Sequence, residues 1–143
     1  AKGARLLTGG TVETLDGGLY LRPTVLVDVT PDMAVLAEET FGPVIPVTIF
    51  DDVDAAVAMA NSGVFGLSAA VLAGTDGEAA AVARRLHCGA VSVNDGSLTS
   101  MVWDAEKSSF GLSGMGPSRM GDSGLMRFLR KQSLLRQMGT PLT

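Results

Sequence analysis

LSAAVLAGTDGEAAAVARRLHCGAVSVN, residues Leu67 to Asn94, holds the alternation that decides the fold. Leu67 to Ala73 and Ala90 to Asn94 are short and apolar, as strands covered on both faces are. Between them Thr75 and Glu78 stand at capping-box spacing, and a helix is predicted over Ala79 to His87. A strand, a helix and a strand in that order make a crossover unit, which favours parallel pairing.

The same pattern extends toward the N-terminus. Val44 to Phe50 reads as another strand, and Asp51 is placed to cap a helix from Asp52 to Asn61. Asp54 falls in the favourable first turn of that helix, and Gly63 lies beyond its end. Leu19 to Val29 reads as a further strand. The expected class is therefore α/β, a largely parallel sheet with crossover helices. Toward the C-terminus the pattern stops. Asp95 to Gly124 is rich in Gly, Ser, Asp and Met without a sustained period, the reading of a long functional or neighbour-shaped loop. Ser123 is then expected to cap a short helix, Gly124 to Lys131, and Ser133 to Met138 to form a sheet-edge strand that invites a partner.

The chain has 143 residues, enough for one domain or for part of a larger enzyme. Apolar residues make up 46% and charged residues 18%, with 18 Gly besides, which excludes disorder as the main state. Mean hydropathy is +0.31, so some apolar surface is expected to meet another domain or subunit. No apolar run approaches the roughly 18 residues that a membrane span needs, and no secretory leader is recognisable. The expectation is a soluble, cytoplasmic chain. The formal charge is −4, yet every acidic residue lies at or before Asp122, while Arg127, Arg130, Lys131 and Arg136 follow it. A basic tail on an acidic chain argues for docking against the chain itself rather than for nucleic acid.

One cysteine and one histidine are too few for a structural zinc site or an internal disulfide, so no metal is expected. Cys88 and His87 are neighbours at a helix end, where adjacent side chains diverge, and they read as a packed terminus rather than a nucleophile and its base. The glycines of GMGPSRMG, Gly114 to Gly121, do not follow a strand, and Arg119 stands where a dinucleotide fingerprint needs its third glycine. More informative is EETFGPV, Glu38 to Val44, which compresses two carboxylates, an aromatic, a glycine and a proline just before a strand. On the residues alone it is either an exposed acidic turn with Phe41 tucked into the core or a binding turn.

EETFGPV followed by IPVTIFDD resembles the signature of the aldehyde dehydrogenase superfamily. GARLLTGG with LRPTVLVDV resembles the lead-in of that family, NSGVFGLSAAV its helix-to-strand passage, HCGAVSVND its buried strand ending in asparagine, and EKSSFGLSGMG the loop that follows. The matches run in order over nearly the whole chain. The resemblance implies that Glu39 holds the nicotinamide ribose and that Phe41 lies beside the nicotinamide. It also implies that Asn94 closes the strand near the active site and that Phe110 belongs to the loop at the substrate entrance. An ionised carboxylate can accept from both ribose hydroxyls, and Gly42 with Pro43 would let the backbone turn into the strand. For Asn94, tying the loop backbone and touching substrate both remain open.

The nucleophilic cysteine, general-base glutamate and oxyanion-hole asparagine of the family lie upstream of its EETFGPV motif, as does its Rossmann domain. No catalytic residue is therefore assigned here. Ser109 and Leu112 also replace a proline and a glycine of the usual loop. Residues 1–143 are accordingly expected to be the C-terminal portion of an aldehyde dehydrogenase catalytic domain, inactive alone. The complete enzyme would use NAD or NADP, oxidise an aldehyde through a thioester and form a homo-oligomer. The alternatives are a non-catalytic assembly module and a related acyl-phosphate reductase.

Overall fold

The computed structural model describes residues 3–117 and 120–139. It divides into two compact units between Gly63 and Val64. In the first, β1 (Arg5–Thr8), β2 (Val12–Leu15), β3 (Gly18–Leu21) and β4 (Thr24–Val27) precede α1 (Ala34–Ala37), β5 (Val44–Pro46) and α2 (Val53–Ala60). β2 and β3 form an antiparallel hairpin, Val12 opposite Leu21 and Leu15 opposite Gly18. Asp16 and Gly17 at its tip have φ of 48° and 81°, the positive pair that a two-residue hairpin turn requires.

The strand expected over Leu19 to Val29 is interrupted at Arg22–Pro23, because Pro23 has no N–H for a ladder. Its second half, β4, is central in a three-stranded sheet, antiparallel to β1 and parallel to β5. The crossover from β4 to β5 contains α1 and ends in the Glu38–Val44 turn. The ladder of β5 is shorter than the expected Val44 to Phe50, but Val47 N–H still donates to Leu26 O at 2.8 Å. α2 lies where it was expected, with a cap one residue later. Asp52, in extended geometry, accepts from Ala55 N–H at 2.9 Å, and Asp51 stands outside the helix. Val29, Met33 and Val57 are the buried apolar side chains of this unit.

The second unit contains β6 (Phe65–Gly66), β7 (Ser68–Val71), α3 (Asp76–Ala83), β8 (Ala90–Val93), α4 (Leu98–Met101), β9 (Ser108–Gly111), β10 (Gly116–Pro117) and α5 (Gly121–Met126). β7 and β8 pair in parallel, Ser68 beside Ala90 and Val71 beside Val93, and α3 is the crossover that packs on both. The capping box is present: Thr75 Oγ1 accepts from Glu78 N–H at 3.2 Å, and the Glu78 carboxylate accepts from Thr75 N–H at 3.0 Å. α3 therefore begins right after Thr75, ahead of the expected Ala79, and its last turns tighten before His87. Ala79 is fully buried. The class is α/β as expected, but the sheets are mixed: both parallel pairs flank a crossover, while β6, β9 and β10 pair antiparallel.

Three expectations for the C-terminal third need correction. Asp95 to Gly124 is not one structureless loop, since α4, β9 and β10 lie within it. Ser123 is inside α5, not its cap, and α5 occupies Gly121–Met126 rather than Gly124 to Lys131. The N-cap Met120 makes no side-chain cap bond, and the Glu106 carboxylate serves instead, accepting from Ser123 N–H at 2.9 Å. Ser133 to Met138 forms no strand, because a segment gains ladder bonds only against another edge and it meets none among the described residues. Arg119, part of the glycine-rich reading, lies outside the described residues.

Two outcomes follow from these caps. Asp52→Ala removes an orphan N–H partner and lowers unfolding free energy by about 1 kcal/mol in urea melts, whereas Asp51→Ala leaves it unchanged; equal losses would contradict the assignment. Hydrogen bonds from Ser123 and from the Asp122 backbone hold the Glu106 carboxyl below its ordinary range. A depressed folded-state value stabilises above the unfolded-state value and is lost as pH falls through the folded one. Glu106→Gln therefore flattens the acid limb of a stability–pH profile; an unchanged limb would show that Glu106 does not cap α5.

Candidate functional site

The Glu38–Val44 turn begins where α1 stops. Glu38 is the C-cap residue, with φ −118° and ψ 146°, and its N–H donates to Ala34 O at 2.8 Å. Glu38 is in extended geometry, and both Glu38 and Glu39 are exposed. Phe41 has φ +44°, a left-handed conformation uncommon for a bulky side chain. The sequence places a glycine next door, yet Phe41 and not Gly42 takes the left-handed backbone. Its ring is 93% exposed, which removes the reading of Phe41 as a core residue under an acidic turn.

Two hydrogen bonds lock the far side of the turn. Val44 N–H donates to Gly42 O at 2.8 Å, and Thr24 N–H, at the head of β4, donates to Pro43 O at 2.8 Å. With φ of Pro43 restricted by its ring, the turn is fastened to the sheet directly after Phe41. An exposed carboxylate and an exposed aromatic two residues apart, on backbone anchored to a strand, can accept from a vicinal diol and cover a flat ring.

In the second unit Asn94 directly follows β8 with φ +50°. Its N–H donates to Val71 O at 2.8 Å, Oδ1 accepts from Ala73 N–H at 2.8 Å, and Nδ2 donates to Asp76 Oδ1 at 2.8 Å. The carboxamide thus joins the ends of both parallel strands to the first residue of α3. Beyond it Asp95 Oδ1 accepts from the N–H groups of Ser97 and Leu98 and from Ser97 Oγ, which holds its carboxyl below the ordinary range. Thr99 N–H donates to the buried Ser92 Oγ at 3.2 Å, returning the chain over β8.

Phe110 is on β9 opposite Gly66 of β6, and 47% exposed. Gly66 is required there: a Cβ would lie 2.5 Å from His87 O and 2.8 Å from Phe110 Cβ. Its N–H donates to Ser113 Oγ at 2.9 Å. Gly66 and Ser113 thus set the position of Phe110, and sequence reasoning passed over both because their partners are distant in the chain. Glu39 and Phe41 share one turn; Asn94 and Phe110 belong to separate sheets of the second unit.

Cys88 is half-buried, and its thiol donates to Ala90 O at 3.5 Å. Burial pushes the thiol up from its ordinary value, the opposite of what a reactive thiolate needs. Among the described residues no three His, Cys, Asp or Glu side chains converge on a metal-sized site, and no helix is long and apolar enough to cross a membrane.

The model of the aldehyde dehydrogenase family matches residues 1–134. A Mycobacterium tuberculosis (strain H37Rv) protein, provisionally named succinate-semialdehyde dehydrogenase [NADP(+)] 2, is 40% identical over 137 residues, covering 94% of this chain and 26% of its own length. The structure of PutA from Anabaena variabilis, provisionally named an aldehyde dehydrogenase, superposes with a TM-score of 0.88 at 51% identity, over 99% of this chain and 30% of PutA. A Mycobacterium tuberculosis aldehyde dehydrogenase complexed with NAD+ gives a TM-score of 0.83 at 30% identity, over 98% and 28% of the two chains. The chain thus spans about a quarter to a third of the proteins it matches. By sequence and by fold alike, it belongs to the aldehyde dehydrogenase family.

Proposed function

We propose that this chain supplies the C-terminal wall of the active site in an NAD(P)-dependent aldehyde dehydrogenase that oxidises an aldehyde to its acid. The observation that carries the reading is the Glu38–Val44 turn, where Phe41 is held outward on left-handed backbone two residues from exposed Glu39. The chemistry of these groups suits a ribosylated nicotinamide. The nicotinamide, when bound, accepts the hydride. Glu39 would accept from the ribose hydroxyls, and the face of Phe41 would cover the ring and exclude water on that side.

Phe110, on a strand spaced by Gly66, would border the substrate entrance. For Asn94 the bonds to Ala73 and Asp76 favour the tying role, through which it would place the chain from Asp95 onward; any substrate contact would use its remaining N–H. The nucleophile and base would come from a segment outside this chain, because Cys88 is half-buried, its thiol is pushed up by burial, and it is aimed at a strand carbonyl. Assembly with further copies is part of the proposal. Leu134 and Leu135 are 94% and 92% exposed in a segment outside any strand, an apolar surface suited to a partner.

Purified alone with NAD, NADP and a panel of aldehydes, the chain is expected to show no turnover above background and to scatter light as more than a monomer. A positioned nucleophile and base together account for many orders of magnitude in rate. Turnover that Cys88→Ser abolishes would overturn the assignment of catalysis to another segment, and a monodisperse monomer would overturn the assembly reading.

In the complete enzyme, Glu39→Gln keeps shape and loses charge assistance, so cofactor affinity falls about tenfold, roughly 1–2 kcal/mol. Glu38→Gln has the smaller effect, since adjacent side chains on extended backbone point opposite ways. Cofactor titrations run side by side decide it: a larger loss for Glu38→Gln, or none for either, leaves the turn purely structural.

A further inference from the structure

We propose that Thr24 is a positioning residue for the cofactor turn, an inference that rests on the assignment of Glu39 and Phe41 above. Thr24 is one of two buried polar side chains among the described residues, 5% exposed. Its hydroxyl is bonded on both sides: Oγ1 donates to Arg22 O at 2.7 Å and accepts from Gly10 N–H at 2.8 Å. Its backbone N–H is the donor to Pro43 O, and in the parallel ladder it stands beside Val44. One residue therefore joins the Gly9–Gly10 bend, the start of β4 and the end of the Glu38–Val44 turn.

The surroundings leave little room for that node to shift. Gly9 has φ +79°, and a Cβ there would sit 2.2 Å from Pro23 O and 2.7 Å from Thr24 Oγ1. The bend thus closes on the Pro23–Thr24 peptide whose N–H points at Pro43. A hydroxyl bonded on both sides fixes the Thr24 rotamer and the direction of that peptide. Pro43, restricted in φ, passes the constraint across Gly42 to Phe41. Valine has nearly the same shape but neither bond, and would leave the Gly10 donor and Arg22 acceptor without this partner. The expected consequence is a displaced turn, read as weaker cofactor binding with unchanged chemistry, because Thr24 carries no charge and touches no reacting atom.

The test uses the complete enzyme, with titration of NAD and NADP well below the unfolding temperature. Thr24→Val is expected to weaken cofactor binding by about three- to tenfold while kcat at saturating cofactor stays within about twofold. Thr24→Ser is expected to restore wild-type binding. Thr24→Cys, a weaker donor of similar volume, should fall between and replaces the valine variant if that one does not fold. The discriminating measurement is the double mutant with Glu39→Gln. If Thr24 acts through the turn, the loss from Thr24→Val shrinks in that background; a purely structural role gives the same loss in both.

Unchanged binding in Thr24→Val, or an undiminished loss in the double mutant, overturns the proposal while leaving the Glu39 assignment standing. Glu39→Gln without effect on the cofactor overturns the assignment itself, and the Thr24 proposal falls with it.

Discussion

Strands that run in the same direction cannot be joined by a tight turn, and this constraint organises both units of the chain. Each parallel pair needs a crossover long enough to return to the start of the sheet, and each crossover brings polar loop residues to strand ends. Between β4 and β5 the crossover delivers Glu39 and Phe41 to the head of the ladder, where Thr24 and Pro43 join. Between β7 and β8 it delivers α3, whose first residue, Asp76, meets Asn94 at the other end of its own unit's parallel pair. Glu39, Phe41 and Asn94 lie at strand ends because the crossovers begin and end there, whereas Phe110 lies within the antiparallel strand β9.

A small core accompanies this arrangement. Among the described residues Val29, Met33, Val57, Ala79 and Met120 are the buried apolar ones, while Leu19, Ile49, Leu72, Phe128 and many other large side chains stand exposed. Each exposed side chain of that size forgoes roughly 1.5–3 kcal/mol of burial. Such a surface accords with a chain whose relatives are three to four times as long. The stability of the isolated chain therefore rests to an unusual degree on ladders and caps.

How far the sequence could be read depended on how local the deciding interaction was. The Thr75–Glu78 box was legible because both partners lie within one turn. With Asp51 and Asp52 adjacent, either carboxylate could cap α2, and only backbone geometry separates them. Glu106 capping α5 was illegible, since donor and acceptor meet across an intervening hairpin and Ser123 looked the better cap. The break at Pro23 was readable in principle from its missing N–H, yet the apolar run on either side masked it. At the site, the identities of Glu39 and Phe41 came from family resemblance. That the ring faces outward on strained backbone was hidden by Gly42, the residue such backbone would ordinarily choose.

The pairings of the second unit differ in how much chain they enclose. Ser68 meets Ala90 across a crossover that α3 stiffens, whereas the pairing of Phe65 with Gly111 encloses that whole unit and more. Closing a loop costs entropy that grows with the logarithm of its length, and a preformed helix shortens the effective loop further. Apart from the local β9–β10 hairpin, the β7–α3–β8 unit thus needs less prior order to assemble than the β6–β9 pairing does. The strand carrying Phe110 has the longer loop to close, so a substitution at Gly66 would show as slow or incomplete formation of the β6–β9 pairing rather than as loss of the whole fold.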